Sequence, residues 1–255
     1  MLVIRDDQLD TLHASARSQF EMETLAHLAR FYPDDAVLLG ETGLLAVIHD
    51  AEREATALRL DTVGDLRRFV TLRLVLGSGF LRDPLLPWAA RIAADSRGEP
   101  GMVDRLAAEA ADYLELTSGE DGQHALRAVL RAGTLKFEDE FAELTDDAAM
   151  SWALPRRVWP QKYRMLQPER RDAYLTVATK AAAAIGLDTP GTTRLYVLLM
   201  FLLGAEFATD PALPWASHAL AMTSGEQADV RARALFEAGL NSIARLRETL
   251  RAAEI

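Results

Sequence analysis

The raw material for metal, acid–base or nucleophilic chemistry in this 255-residue chain is five histidines and 38 acidic side chains. Spacing decides what they can do. The histidines are His13, His27, His49, His124 and His218, and none sits in the HExxH pattern that places two zinc ligands on one helix face. Nor does a Glu-x-x-His pair recur, as a di-iron bundle requires. Glu23 and His27 are four apart and read as a local pair on one helix face. His49, Asp50 and Glu52 offer ligand atoms, but neighbouring helical residues point in different directions, so no ligand set is expected there. Glu138, Asp139 and Glu140, like Asp146 and Asp147, read as solvated faces or helix caps. The absence of cysteine removes disulfides, thiolate nucleophiles and cysteine-ligated metals. No nucleophile elbow, P-loop or dinucleotide-binding glycine motif occurs. The expectation is therefore no catalytic residue, no metal and no cofactor, although a site assembled from distant positions would leave no motif.

Two stretches do share a pattern. Residues 60–89 and 187–216, offset by 127 positions, are identical at 16 of 30 places without a gap. The first reads Leu60, Asp61, Thr62, then Leu76, Gly77, Phe80, Asp83, Pro84, Leu86, Pro87, Trp88, Ala89. The second has Leu187, Asp188, Thr189, then Leu203, Gly204, Phe207, Asp210, Pro211, Leu213, Pro214, Trp215, Ala216. The register extends back to Tyr32 and Pro33 against Trp159 and Pro160. Such self-similarity marks an internal duplication. The expected architecture is all-α, with one helical repeat over 1–118 and a second over 119–255, packed as one body.

Each shared position has a folding role. Glycine lets the chain turn after a helix. Asp83 and Asp210 are expected to cap the next helix, with Pro84 and Pro211 at its first position, where a missing N–H is harmless. Trp88 and Trp215 are expected to fold back onto the preceding helix. The competing reading makes Asp83, Trp88, Asp210 and Trp215 the lining of matching grooves for a partner protein, since tryptophan is common at binding hot spots. The copies also differ. Arg68 and Arg73 of the first are replaced by Leu195 and Met200, while Arg67 persists as Arg194. Arg67, Arg68 and Arg73 are thus expected to form a charged, partner-facing side of the first copy, with the second copy's helix more buried. Glu206 stands where the first copy has Gly79, which argues against a carboxylate role shared by both corners.

Helical periodicity runs through almost the whole chain. Leu9, Leu12, Ala16, Phe20, Thr24, Leu28 and Phe31 predict a helix over 6–31, stopped by Pro33. Further helices are expected over 41–57, from a cap at Asp61 or Thr62 to Leu76, and over 84–94, 102–116, 123–133 and 136–150. An irregular stretch should follow over 153–160. Helices over 168–185, 190–204, 212–221 and 226–252 complete the pattern. Gly77 and Gly79 should end the third helix in left-handed conformations. Ser118 and Ser224, each followed by Gly and Glu, read as helix N-caps.

Composition narrows the function classes. Hydrophobic residues make up 49% and charged residues 26%, as in folded globular chains. A formal net charge of −10 repels phosphate backbones, so nucleic acid is not an expected partner. The longest apolar stretch, 195–204, is about half a membrane span. Met1 to Asp7 turns acidic after four residues, unlike a signal peptide, so a cytoplasmic location without a membrane span is expected.

The order of Gln8, Leu9, Phe20, Glu21, Ala26, His27, Leu28, Phe31, Tyr32 and Pro33, followed by the L-G-x-x-F, D-P-x-L-P-W-A signature, resembles a family of poorly characterised helical proteins. Its members are encoded in type VI secretion and related toxin gene clusters of Gram-negative bacteria. Family corners read F-D-x-D-P. Here Phe80, Leu81, Arg82, Asp83, Pro84 lacks the first acid. The resemblance implies a protein that handles a secreted effector: an immunity protein, or an adaptor or chaperone for loading, bound to the effector or to a spike component. Two other classes stay open, an enzyme or toxin with a site between the repeats and a self-associating helical module.

Overall fold

The structure of the protein, a computed structural model, describes residues 6–142 and 152–253. All regular structure among the described residues is helical. The first repeat contains α1 (Asp6–Phe31), α2 (Pro33–Leu58), α3 (Val63–Leu76), α4 (Pro87–Asp95) and α5 (Met102–Ser118). Within 119–255, the span of the second repeat, come α6 (Gln123–Ala132), α7 (Phe137–Glu140), α8 (Ala153–Val158), α9 (Pro160–Met165), α10 (Pro168–Ala184), α11 (Pro190–Leu203), α12 (Pro214–Met222) and α13 (Ala228–Ala253).

The two repeats match in backbone detail at the same 127-residue offset. Thr62 caps α3 by accepting from the Asp65 N–H, and Thr189 caps α11 by accepting from the Thr192 N–H. Tyr32 and Trp159 precede their prolines with φ −133° and −132°. α2 is broken at Gly40 (φ 62°), and the aligned Gln167 separates α9 from α10. Arg59 and Gly186 both leave the preceding helix with positive φ, 58° and 73°. Gly98 and Gly225 do the same at 73° and 85°, ahead of α5 and α13.

Several boundaries differ from the expected ones. Asp83 and Asp210 cap no helix. Each begins a turn closed by the Leu86 or Leu213 N–H on its own carbonyl, at 2.9 Å in both, and the next helix starts four residues later with Pro87 or Pro214 as its first residue. Gly79 has φ −88°, so only Gly77 of that pair uses glycine's freedom. Residues 153–158 are helical rather than irregular, and α7 stops at Glu140. The rest of the helix expected over 136–150 lies largely outside the described residues. Ser118 ends α5 instead of capping a helix start.

The core runs through both repeats without interruption, from Leu28 and Ile48 through Phe69 and Phe80 to Tyr174, Phe201 and Phe207. α11 is its centre: ten of its 14 residues are buried, against five of 14 in α3. Burying so apolar a helix supplies the main favourable term in folding. No helix among the described residues is long and apolar enough to cross a membrane.

Candidate functional site

The two corners face one another, and their aspartates cross. Asp83 Oδ1 accepts the Leu85 N–H of its own turn at 2.8 Å, and its Oδ2 accepts the Ala205 N–H of the other corner at 2.9 Å. Asp210 Oδ1 accepts the Ala212 N–H at 2.8 Å, while its Oδ2 accepts the Ser78 N–H at 2.7 Å. Ser78 and Ala205 are themselves aligned positions. The glycines reciprocate as well. A Cβ on Gly77 would lie 3.0 Å from the Leu203 carbonyl oxygen, and one on Gly204 would lie 3.0 Å from the Leu76 oxygen. With φ of 93° and 96°, both sites exclude a side chain twice over. This is the arrangement of a two-fold interface, here built within one chain.

Each buried aspartate feels a cation from the opposite repeat. Burial pushes both carboxyls above the usual range, while Lys162 and two backbone N–H groups pull Asp83 back and Arg73 contributes the same sign at Asp210. Arg73 is itself buried and pairs with Asp50 and Glu54 of α2. Arg82 extends that network, holding Glu54 and reaching across to Glu206 through two bonds of 2.5 and 2.8 Å. These groups line a shallow charged groove of about 570 Å3.

Lys162 has the more unusual setting. It lies on α9, buried, with its ammonium 4.9 Å from the Trp159 ring centre and 5.6 Å from that of Phe201. Its hydrogen bond is a long one, 3.4 Å to the Leu202 carbonyl. Burial lowers the ammonium to about 8, against the pull of Asp83. Lys162 and Asp83 share a cavity of about 210 Å3 between the repeats, walled by Leu76, Leu86, Tyr113 and Trp159. Tyr113 and Tyr174 are buried near the same carboxylate, which together with burial raises both phenols. The Tyr174 hydroxyl and the neighbouring Trp152 Nε1 have no hydrogen-bond partner among the described residues. Trp159 Nε1 donates to the Thr117 carbonyl at 2.9 Å, which fixes the wall of the cavity to the end of α5.

The expected partner-facing residues are distributed differently. Asp83, Asp210 and Arg73 are buried and engaged inside, so they present nothing to a partner. Trp88 and Trp215 are half-buried against the core, and the Trp215 ring lies on Gly239 of α13. Arg67 is held by Glu23 of α1 at 2.7 Å. Arg68 is exposed but pairs with Asp65 and Asp104. Only this arginine retains the charged, outward position expected of the three.

A second group escaped the sequence reading. His49 and Glu52 do share a face of α2, and Glu21 of α1 meets them, with all three ligand atoms within 4.8 Å of one another. Arg17 already lies against both carboxylates, at 3.3 Å from Glu21 and 2.8 Å from Glu52, so the group is a closed ion-pair cluster joining two helices. Lys162 was also missed. The available signal was compositional: the chain has three lysines among 28 basic residues, and lysine, unlike arginine, shifts readily when buried.

No protein-family model matches the chain, and neither the curated proteins nor the solved structures contain a match.

Proposed function

We propose that this chain is a non-enzymatic protein-binding module for a basic partner. The observation that carries this reading is the surface at the corner between α1 and α2. Phe31, Val37 and Leu38 are 56%, 70% and 41% exposed there, beside the acidic pair Asp34 and Asp35. Exposed apolar side chains with an acidic surround suit a partner that brings complementary charge, and the net charge of −10 favours its approach. The residues shared by the two repeats support the same reading from the other side, because they are spent on joining the corners. The sequence resemblance gives the partner a context: an effector or spike component of a type VI secretion-type system, bound for immunity or for loading.

Co-expression of the tagged chain with the products of adjacent genes tests this. One stoichiometric partner, lost when Phe31, Val37 and Leu38 are changed to serine, is the expected result. Retention of a clean protein with no partner overturns it. A second reading, a site that acts on a small molecule, is favoured by one observation, the cavity that holds Asp83 and Lys162.

A further inference from the structure

We infer that the cavity between the repeats binds a small uncharged molecule with an apolar body and a carbonyl acceptor, oriented by Lys162. The argument is independent of any protein partner and begins with unfilled hydrogen-bonding capacity. An ammonium has three donors. Among the described residues that of Lys162 has a single long bond, to the Leu202 carbonyl, and the aromatic faces of Trp159 and Phe201 accept no conventional hydrogen bond. Buried polar groups are ordinarily satisfied, and those that are not need an explanation. The cavity supplies one, since Lys162 is among the side chains that line it.

Size and lining set the class of occupant. Engineered apolar cavities of about 150 Å3 take up benzene. At about 210 Å3 this one has room for a ring with a two- or three-atom polar substituent. Leu76, Leu86, Leu202 and Leu203 give the walls their apolar character. Charge then discriminates. Asp83 already attracts Lys162 through space, and its oxygens are each held by a backbone N–H. A second anion would face Asp83, and a second cation would face Lys162. In a low-dielectric space either is penalised, whereas a neutral carbonyl accepts from Lys162 and adds no charge. Entry is available at the rim, where Val75 is exposed and Leu114, Ser118 and Ala125 are half-buried.

Four molecules of nearly the same shape separate these terms: acetophenone, α-methylstyrene, benzoate and benzamidine. Ligand-observed NMR titration of the full chain at pH 7 should show saturable binding of acetophenone, with at least ~5-fold weaker binding of each of the other three. Ala125→Phe fills the rim without touching Asp83 or Lys162, and should abolish the acetophenone signal. Lys162→Met keeps the aliphatic stem and should reduce acetophenone to the level of α-methylstyrene. Should that variant fail to fold, the four-ligand series on the unaltered protein and Ala125→Phe still decide the matter. Equal binding of acetophenone and α-methylstyrene overturns the proposal. So does tighter binding of either ion, binding that survives Ala125→Phe, or no saturable binding at all.

Discussion

Asp83 and Asp210 each accept a backbone N–H from the other's corner, at 2.9 and 2.7 Å, so the Ala205 and Ser78 N–H groups each find their acceptor in the opposite repeat. The reciprocity is close but the surroundings are not equal. Asp83 is opposed by a buried lysine whose hydrogen bond is one long contact to a backbone carbonyl, whereas the arginine near Asp210 also holds Asp50 and Glu54. Removing one aspartate therefore differs from removing the other. Asp83→Ala strands two N–H groups and leaves Lys162 buried and uncompensated, with an expected loss of about 3–5 kcal/mol. Asp210→Ala strands two N–H groups but leaves Arg73 paired, with an expected loss of about 1–3 kcal/mol. Urea unfolding of the two variants at pH 7 checks the ranking. Equal losses would mean that Lys162 does not depend on Asp83.

Gly64 and Gly191 are aligned and shared by both repeats, yet they are held for different reasons. Both lie in the first turn of their helices, α3 and α11. A Cβ at Gly64 meets only ordinary contacts, the nearest at 3.7 Å from Arg68. One at Gly191 would fall 1.7 Å from the Phe141 carbonyl oxygen. Gly64→Ala should be neutral or stabilising by up to about 1 kcal/mol, because alanine restricts the unfolded chain and favours helix. Gly191→Ala must displace the backbone that follows α7, and should lose about 3 kcal/mol or more. Thermal unfolding of the pair is the measurement. Gly64 is thus shared without need, a reminder that identity between copies records descent as well as constraint.

How far the fold could be read from the sequence follows from where each determinant lies. The bounds of α1 are legible because its apolar residues recur every three or four positions and Pro33 stops it. A cap at Asp61 or Thr62 is legible because the bond closes within three residues, and the structure places it on Thr62 and repeats it at Thr189. The aspartates mislead. An Asp followed by Pro looks like a helix start, and the local Asp83-to-Leu85 bond is in fact turn chemistry. What redirects the second oxygen is an N–H 122 residues away, which no local pattern encodes. Arg73 misleads in the same way: its charge suggests an exposed face, and only the carboxylates of α2 make its burial tolerable. Lys162 becomes conspicuous only when Asp83 and Trp159 are placed around it, so the cavity had no signature in the sequence.

The lysine also predicts a pH dependence. Its folded value, about 8, lies below the ordinary 10.5. Below pH 8 the amine is protonated in both folded and unfolded chains, and stability does not change through it. Above pH 8 the folded chain releases a proton that the unfolded chain still holds, so the contribution of this group rises with pH. Between pH 7 and 9.5 the unaltered protein should gain up to about 2 kcal/mol relative to Lys162→Met. The window stops short of 10 because the phenols of Tyr113, Tyr174 and Tyr196 are raised in the fold and act with the opposite sign above it. Parallel urea titrations at three pH values read the difference. A flat difference would place the Lys162 amine in water rather than in the cavity.

The corner between α1 and α2 gives the last expectation, and it separates binding from folding. Val37 and Leu38 belong to the short first segment of α2, which Gly40 breaks from the rest, and Phe31 closes α1 on the other side of Pro33. Burying these three apolar side chains under a partner would contribute a few kcal/mol at roughly 25 cal/mol per Å2, while in the free protein they contribute little because they already face water. Replacing all three with serine should therefore leave the unfolding midpoint within about 2 °C, since surface changes of this kind are usually within ±0.5 kcal/mol. Partner capture in co-expression should fall at least ~10-fold, which is 1.4 kcal/mol. The neutral replacement leaves Asp34 and Asp35 in place, so long-range attraction survives and the loss should appear in the dissociation rate more than in association. A triple variant that unfolds would show the three side chains to be part of the core. One that folds and still captures its partner would move the docking surface elsewhere on the molecule.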